Sequence, residues 1–214
     1  LGGSGIQTSA MGFGGGSPAS NATELYNGST WTTSTNMATA RPSLGSAQNA
    51  PSNTTGLAFG GGPPHTAVEE FNSSFNTFTA GAWASSGSMN VARNKIAGAG
   101  IQTAALAFGS EAPPGAGTAG NKSESYNGTS WTETPTIQTN RDSLAGAGTQ
   151  TAALAFGGDS QTGGAPSATP TGATEEFNGS SWSEQSDMST ARRLLAGSGT
   201  QTAALASTGY APPS

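Results

Sequence analysis

The 214-residue sequence predicts an all-β protein built from four-stranded antiparallel repeats, with almost no helix. Three observations carry this prediction. A segment of small and apolar residues recurs five times, four of the copies continue to an aromatic residue and a tryptophan, and each of those four ends near an arginine. Because an internal period decides the architecture of a repeat protein, the period is established first.

The recurring segment starts at Leu1, Leu44, Ile96, Leu144 and Leu195, with spacings of 43, 52, 48 and 51 residues. The copy at Leu144 reads L-A-G-A-G-T-Q-T-A-A-L-A-F-G-G, and the copy at Leu44 is degenerate until its L-A-F-G-G at 57–61. We therefore expect one domain made of units 1 to 4, which span 1–43, 44–95, 96–143 and 144–194, and of unit 5 (195–214), which holds the first two strands of a further unit.

The first half of each unit predicts two strands. The first strand consists of Gly, Ala and Ser, and the second runs over residues such as Thr151 to Phe156. In this second strand Leu154 and Phe156 fall on one face, because side chains alternate along a strand. The doublet Gly157-Gly158 then ends the strand, since Gly accepts backbone conformations that other residues avoid.

The second half of each unit predicts an outer hairpin. It reads T-E-L-Y-N-G-S-T-W at 23–31, and 123–131 and 174–182 are close copies, whereas the second copy has a longer insert. Asn-Gly between an aromatic residue and a tryptophan predicts a hairpin with a type I′ turn, which needs positive φ at both positions. A period near 50 residues with four short strands is typical of a β-propeller blade. Small residues then suit crowded inner strands, and aromatic residues the wider outer space.

The composition excludes several classes of protein. The chain has 35 Ala, 33 Gly, 29 Ser and 29 Thr, but its aromatic and aliphatic residues recur in register, unlike those of disordered chains. The absence of Cys excludes disulfides and thiolate metal sites. A net charge of −5 gives no basic surface for nucleic acid. No apolar run approaches the roughly 18 residues of a membrane span, so we expect no membrane insertion.

The Gly doublet, the aromatic residue and the tryptophan together resemble the kelch repeat over nearly the whole chain. The doublets are Gly14-Gly15, Gly60-Gly61 and Gly157-Gly158, with Gly109-Ser110 as a departure, and the aromatic residues are Tyr26, Phe71, Tyr126 and Phe177. The resemblance implies a kelch-like β-propeller with about 4.5 four-stranded blades in this chain, an innermost small-residue strand and a ring of five or more blades. We expect the chain to be a piece of a longer protein, the alternative being a five-bladed ring with one thin blade.

The style of the repeats is similar to that of kelch-like repeats in virion structural and tail-fibre proteins of marine bacteriophages. This implies an extracellular or virion-surface protein that assembles with other appendage subunits or with itself and binds a host-surface glycan or protein. Two alternatives stay open: a kelch-type interaction module inside a cell, and a glycan-active propeller enzyme. The latter is opposed by one His and no Cys, so we predict no enzymatic activity, no cofactor and no metal.

Three residue types recur at fixed repeat positions, and we interpret them as structural. They are the tryptophans Trp31, Trp83, Trp131 and Trp182, the arginines Arg41, Arg93, Arg141 and Arg192, and the glutamates Glu24, Glu69, Glu124 and Glu175. Arginine suits planar pairing with a carboxylate, so we expect a ring of ion pairs between or within blades. The functional alternatives are sugar stacking on the tryptophans and an arginine cluster that binds an anionic sugar.

The loops that follow the doublets vary most, and variable loops on a rigid scaffold are where binding usually resides. They span roughly 14–22, 60–67, 109–122 and 157–173. The candidate partner-binding residues are Pro64, His65, Glu111, Asn121, Lys122, Asp159 and Gln161. His65 is the only His and is expected to be a solvated loop residue. Calcium binding by Glu111 and Asp159 is an alternative, but the ligand spacing typical of calcium loops is absent.

Overall fold

The computed structural model describes residues 1–47, 52–62, 66–73, 82–111, 119–161 and 169–211. In this part of the chain the fold is all-β, and a 3-10 turn at Ala119–Asn121 is the only helical element. This confirms the prediction of an all-β fold. No helix of the described ranges is long and apolar enough to cross a membrane.

Units 1 to 4 each form one four-stranded antiparallel sheet, and unit 5 forms a two-stranded hairpin. The strands are β1 (Gly2–Ile6), β2 (Ser9–Phe13), β3 (Thr23–Tyr26), β4 (Trp31–Thr33), β5 (Gly45–Ser46), β6 (Thr55–Phe59), β7 (Val68–Asn72), β8 (Ala82–Ser85), β9 (Ala97–Ile101), β10 (Ala104–Phe108), β11 (Ser123–Tyr126), β12 (Trp131–Thr134), β13 (Arg141–Asp142), β14 (Ala145–Gly148), β15 (Ala153–Phe156), β16 (Asp159–Ser160), β17 (Thr169–Pro170), β18 (Thr174–Phe177), β19 (Trp182–Gln185), β20 (Ala196–Thr200) and β21 (Ala203–Ser207).

The strands of a unit lie side by side in chain order. In unit 4 the order is β14-β15-β18-β19, and β13, β16 and β17 make a separate small sheet. In β14 and β15, Ala145 pairs with Phe156, and in β18 and β19, Phe177 pairs with Trp182. The β15–β18 loop and the connector that enters β14 therefore lie at one end of the sheet, and the two tight hairpins lie at the other.

The outer hairpins form as predicted, but the type I′ prediction is wrong. In the outer-hairpin turn of unit 1, Gly28 has a positive φ of +94°, and Asn27 does not. The Asn27 side chain explains this difference, because its Oδ1 accepts hydrogen bonds from the backbone N–H groups of Ser29 at 3.0 Å and Thr30 at 2.9 Å. Such an Asx turn holds a four-residue connection in which only the Gly must be left-handed.

The first strands of consecutive units approach each other closely. A Cβ added to Gly146 would lie 2.6 Å from Cζ of Phe108 and 2.7 Å from the carbonyl oxygen of Gly98. In the same way, a Cβ on Gly197 would lie 2.6 Å from the carbonyl oxygen of Gly146. The small residues of these strands are therefore required by the contact between neighbouring units.

A cavity of about 370 Å³ lies where the five first strands begin. The first residue of every unit lines it, namely Leu1, Leu44, Ile96, Leu144 and Leu195. The connectors beside it are joined by backbone hydrogen bonds, from the N–H of Lys95 to the oxygen of Ser43, from Ser143 to Lys95 and from Leu194 to Ser143. All four of these residues have a φ between +51° and +55°. The connectors thus repeat one strained backbone conformation around one cavity.

Candidate functional site

The repeated charges form buried ion pairs between consecutive units. The pairs are Arg41–Glu69 at 2.9 Å, Arg93–Glu124, and Arg141–Glu175 at 3.1 Å, and all three arginine side chains are fully buried. In each pair the arginine comes from the end of one unit and the glutamate from the third strand of the next. The sequence left open whether the pairing was within or between units, and the geometry places it between them.

Each arginine also binds backbone carbonyls of the next unit. Nη1 of Arg41 donates to the oxygens of Gly60 at 3.0 Å and Ala67 at 2.8 Å. The other carboxylate oxygen of Glu69 accepts the N–H of Ala38 at 2.7 Å, so the glutamate reaches back to the first unit. Burial lowers the pKa of the Arg41 guanidinium, and the charge and hydrogen bond of Glu69 oppose that shift.

The first glutamate and the last arginine of the series, Glu24 and Arg192, have no such ion pair among the described residues. Arg192 donates to the oxygen of Thr208 at 3.2 Å, which corresponds to the bond from Arg41 to Gly60. Among the described residues no carboxylate lies within 4.0 Å of Arg192 or pairs with it. Glu24 is exposed and has no ion-pair partner in the same ranges.

The tryptophans pack across the same boundaries. Trp83 lies on Phe13, Trp131 on Phe59 and Trp182 on Phe108, each with ring centroids 5.0 to 5.3 Å apart in edge-on geometry. Each tryptophan therefore covers the second strand of the preceding unit. Trp31, which belongs to unit 1, is 52% exposed.

A repeated glutamine adds a contact that the sequence analysis did not assign. Nε2 of Gln150 donates to the oxygens of Ala105 at 3.3 Å and Tyr126 at 2.5 Å in the preceding unit. Gln201 makes the equivalent bonds to Ala153 and Phe177. The sequence does contain a signal for this contact, because Q-T recurs in the first turn of four units. A polar residue in a turn is, however, usually expected to be exposed to solvent.

In the loops that follow the doublets, Glu111 is bound by the connector that leads from unit 2 into its own unit, unit 3. Its carboxylate accepts hydrogen bonds from Nζ of Lys95 at 2.8 Å and Nδ2 of Asn94 at 2.9 Å. Burial raises the pKa of Glu111, but the hydrogen bonds from Lys95 and Asn94 and the charge of Lys95 outweigh it and hold the pKa below its ordinary value.

Asp159 and Gln161 lie at the base of the next loop and are buried. Asp159 pairs with Nη1 of Arg193 at 3.0 Å. Nε2 of Gln161 donates to Oδ2 of Asp142 at 2.5 Å and to the carbonyl oxygen of Ser110 at 3.4 Å. Because Ser110 belongs to unit 3, this bond joins the bases of two neighbouring loops.

Of the remaining loop candidates, two lie among the described residues and two do not. Asn121 ends the 3-10 turn and its carbonyl accepts the N–H of Ile137, and Lys122 uses its carbonyl oxygen to bind Arg93 at 2.8 Å. Both side chains are half-buried. Pro64 and His65 lie outside the described residues.

The described side chains of this end of the molecule contain no group of three or more His, Asp or Glu that could hold a metal ion. The geometry provides loops whose bases are hydrogen-bonded to the connectors through Glu111 and Gln161, and Gln161 also joins two neighbouring loops. A scan against protein-family models and a search of curated proteins find no match to the chain.

Proposed function

We propose that the chain is a non-enzymatic, kelch-like β-propeller segment of an extracellular or virion appendage, similar to a tail fibre. In this proposal the blades are a durable scaffold, and the loops after the Gly doublets recognise a host-surface glycan or protein. The partners would be other appendage subunits or further copies of the chain, and the recognised molecule.

Two features support the propeller arrangement. The first residues of all five units line one cavity, and equivalent connectors bond to each other in sequence beside it. A radial arrangement of blades places innermost strands around a common axis in this manner. The ion pairs, tryptophans and glutamines then act as the repeated contacts between neighbouring blades.

The observation that carries the binding proposal is the packing of the loop bases. Gln161 joins its loop to Ser110 in the neighbouring loop and to Asp142 in the connector, and Glu111 binds Lys95 in another connector. Because the described bases are fixed, the loops start from set positions, and their sequences differ beyond those bases. Preorganisation lowers the entropic cost of binding a partner.

The test is binding of the chain to bacterial surface polysaccharides on an array and to intact bacterial cells. Replacing residues 162–168 with a Gly-Ser segment of equal length should abolish binding and leave the melting temperature unchanged. The matched control is Ser180→Lys, in the exposed turn at the opposite end of the same unit, which should bind as the parent does.

Binding that survives the loop replacement, or that is lost equally in the control, would overturn the assignment of the loops. If the chain binds no polysaccharide and no cell, the recognition role is wrong and the scaffold role alone is left.

A further inference from the structure

The boundary between units 4 and 5 differs from the other boundaries in a specific way. Each of the three preceding boundaries encloses an apolar cluster built from the same repeat positions. In the cluster around Phe13 these positions are Phe13, Met37, Ala58, Phe71 and Trp83. In the cluster around Phe156 the first three correspond to Phe156, Met188 and Ala206, and the described chain supplies neither of the two aromatic residues.

A cavity of about 190 Å³ lies where those two aromatic side chains would pack. It is lined by Leu154, Phe156, Thr174, Met188, Ala204 and Ala206, together with Ser186 and Asp187. Leu154 is half-buried here, whereas its equivalents Leu57 and Leu106 are fully buried. We call this cavity the indole pocket.

A hydrogen-bond acceptor is already in place in the indole pocket. At the boundary of units 1 and 2, Nε1 of Trp83 donates to Oγ1 of Thr23 at 3.2 Å. Thr174 occupies the position of Thr23 in unit 4, and its Oγ1 donates to the carbonyl of Gly172, which leaves its lone pairs for an indole N–H. The pocket therefore has both an apolar wall and the hydrogen-bond acceptor that Trp83 uses at the boundary of units 1 and 2.

Arg192 supplies the matching charge. Its bond to Thr208 repeats one of the contacts that Arg41 and Arg141 make with the next unit, and those arginines also hold a glutamate. In units 2 and 4 this glutamate lies on the third strand, which pairs with the second strand of the same unit. For unit 5 that second strand is β21, which in the described residues pairs along its length with β20 alone.

We propose that β21, the indole pocket and Arg192 together form a binding site for a β-hairpin of the repeat's own outer type, with the sequence E-x-aromatic-N-G-x-x-Trp. The first strand of the hairpin adds to the edge of β21 that faces away from β20, its glutamate pairs with Arg192, and its tryptophan enters the pocket against Phe156. Strand addition to an exposed edge supplies backbone hydrogen bonds, and the two side chains supply specificity.

A folded second copy of the chain does not fit this site. Its exposed Trp31 and Glu24 have the right chemistry, but β3 already pairs with β2 on one side and β4 on the other. Neither edge of β3 is free to add to β21. The occupant is therefore a hairpin segment that is not part of a folded sheet.

The test uses a synthetic peptide with the sequence of residues 173–185, which contains Glu175, Phe177 and Trp182. We expect saturable one-to-one binding by calorimetry and shifts of the backbone amide signals of Ala203–Ser207 by NMR. The Trp182→Ala peptide should bind at least tenfold more weakly, because a tryptophan that fills a pocket dominates such interfaces. The Glu175→Gln peptide should lose about tenfold, as expected for a charge-assisted hydrogen bond.

The matched variants of the chain are Arg192→Gln, which should weaken binding of the parent peptide, and Glu24→Gln in unit 1, which should not. If the parent peptide shows no binding at peptide concentrations up to about 1 mM, its affinity is weaker than millimolar and the proposal is wrong. Binding that is indifferent to both peptide substitutions would also overturn it. Concentration-dependent dimers that Glu24→Gln abolishes would show that a second copy is the occupant, and the proposal would be wrong.

Discussion

At the scale of single residues, several non-glycine residues of this chain have an unusual, left-handed backbone conformation. Leu194 has a φ of +54° and is 63% exposed. A left-handed conformation costs an ordinary residue about 1–2 kcal/mol of stability. Because Leu194 is mostly exposed, the burial of its side chain offsets little of this cost. The hydrogen bond from its N–H to the oxygen of Ser143 at 2.8 Å explains why the conformation is kept.

Leu194→Asn should therefore raise the free energy of unfolding by about 0.5–1 kcal/mol, because Asn tolerates the left-handed region and keeps the N–H. Urea denaturation measures the change. Leu205→Asn is the control, since Leu205 is 64% exposed but lies in β21 with no positive φ. An equal gain in both variants would show that removal of exposed apolar surface, and not relief of strain, is the cause.

The pair of Glu111 and Lys95 predicts a pH dependence at the same scale. The folded pKa of Glu111 is below its unfolded value, so its contribution to stability is present above the unfolded pKa and is lost as the pH falls through the folded pKa. Because both side chains are about one-third exposed, the contribution is small, about 0.2–1 kcal/mol.

The free energy of unfolding of the parent chain and of Glu111→Gln should accordingly differ at pH 7 and converge below about pH 4, near the ordinary pKa of Glu. A difference that persists unchanged to pH 3 would mean that the charge of Glu111 does not stabilise the loop base.

At the scale of elements, the sequence predicted the strands well and their contacts less well. Thr151 to Phe156 and the Asn-Gly hairpins were predictable, because alternation and turn chemistry are local properties. The turn type was wrong because the Asn27 side chain competes for the backbone N–H groups. The buried positions of Asp159 and Gln161 were not predictable, since they depend on Asp142 and Arg193 in other parts of the chain.

The repeated glutamine gives a prediction at this scale. Gln150→Ala removes two hydrogen bonds to carbonyls of the preceding unit and should lower the free energy of unfolding by about 1–2 kcal/mol. Gln7→Ala is the matched control, because Gln7 occupies the same repeat position in unit 1 and is exposed. Its expected effect is within about 0.5 kcal/mol, typical of surface substitutions. Equal losses in thermal or urea unfolding would contradict an inter-unit role for Gln150.

At the scale of the whole molecule, stability depends on contacts between neighbouring units. Each of the three boundaries between units 1 and 4 combines a buried ion pair with a tryptophan that packs on a phenylalanine. The period and the all-β, four-stranded units could be predicted from sequence, because every unit repeats the same residues. Which unit pairs with which could not, since the spacing of Arg and Glu fits both arrangements.

The central claim is that the repeated charges join one unit to the next. A double-mutant cycle on Arg141 and Glu175 in urea tests it most directly, with Arg141→Met, Glu175→Gln and the double variant. Each single substitution leaves a buried charge unpaired and should cost about 3–5 kcal/mol. The double variant should cost less than the sum by about 1–3 kcal/mol, as expected for residues in direct contact. Additive effects, or single effects below about 0.5 kcal/mol, the range of ordinary surface changes, would contradict the account.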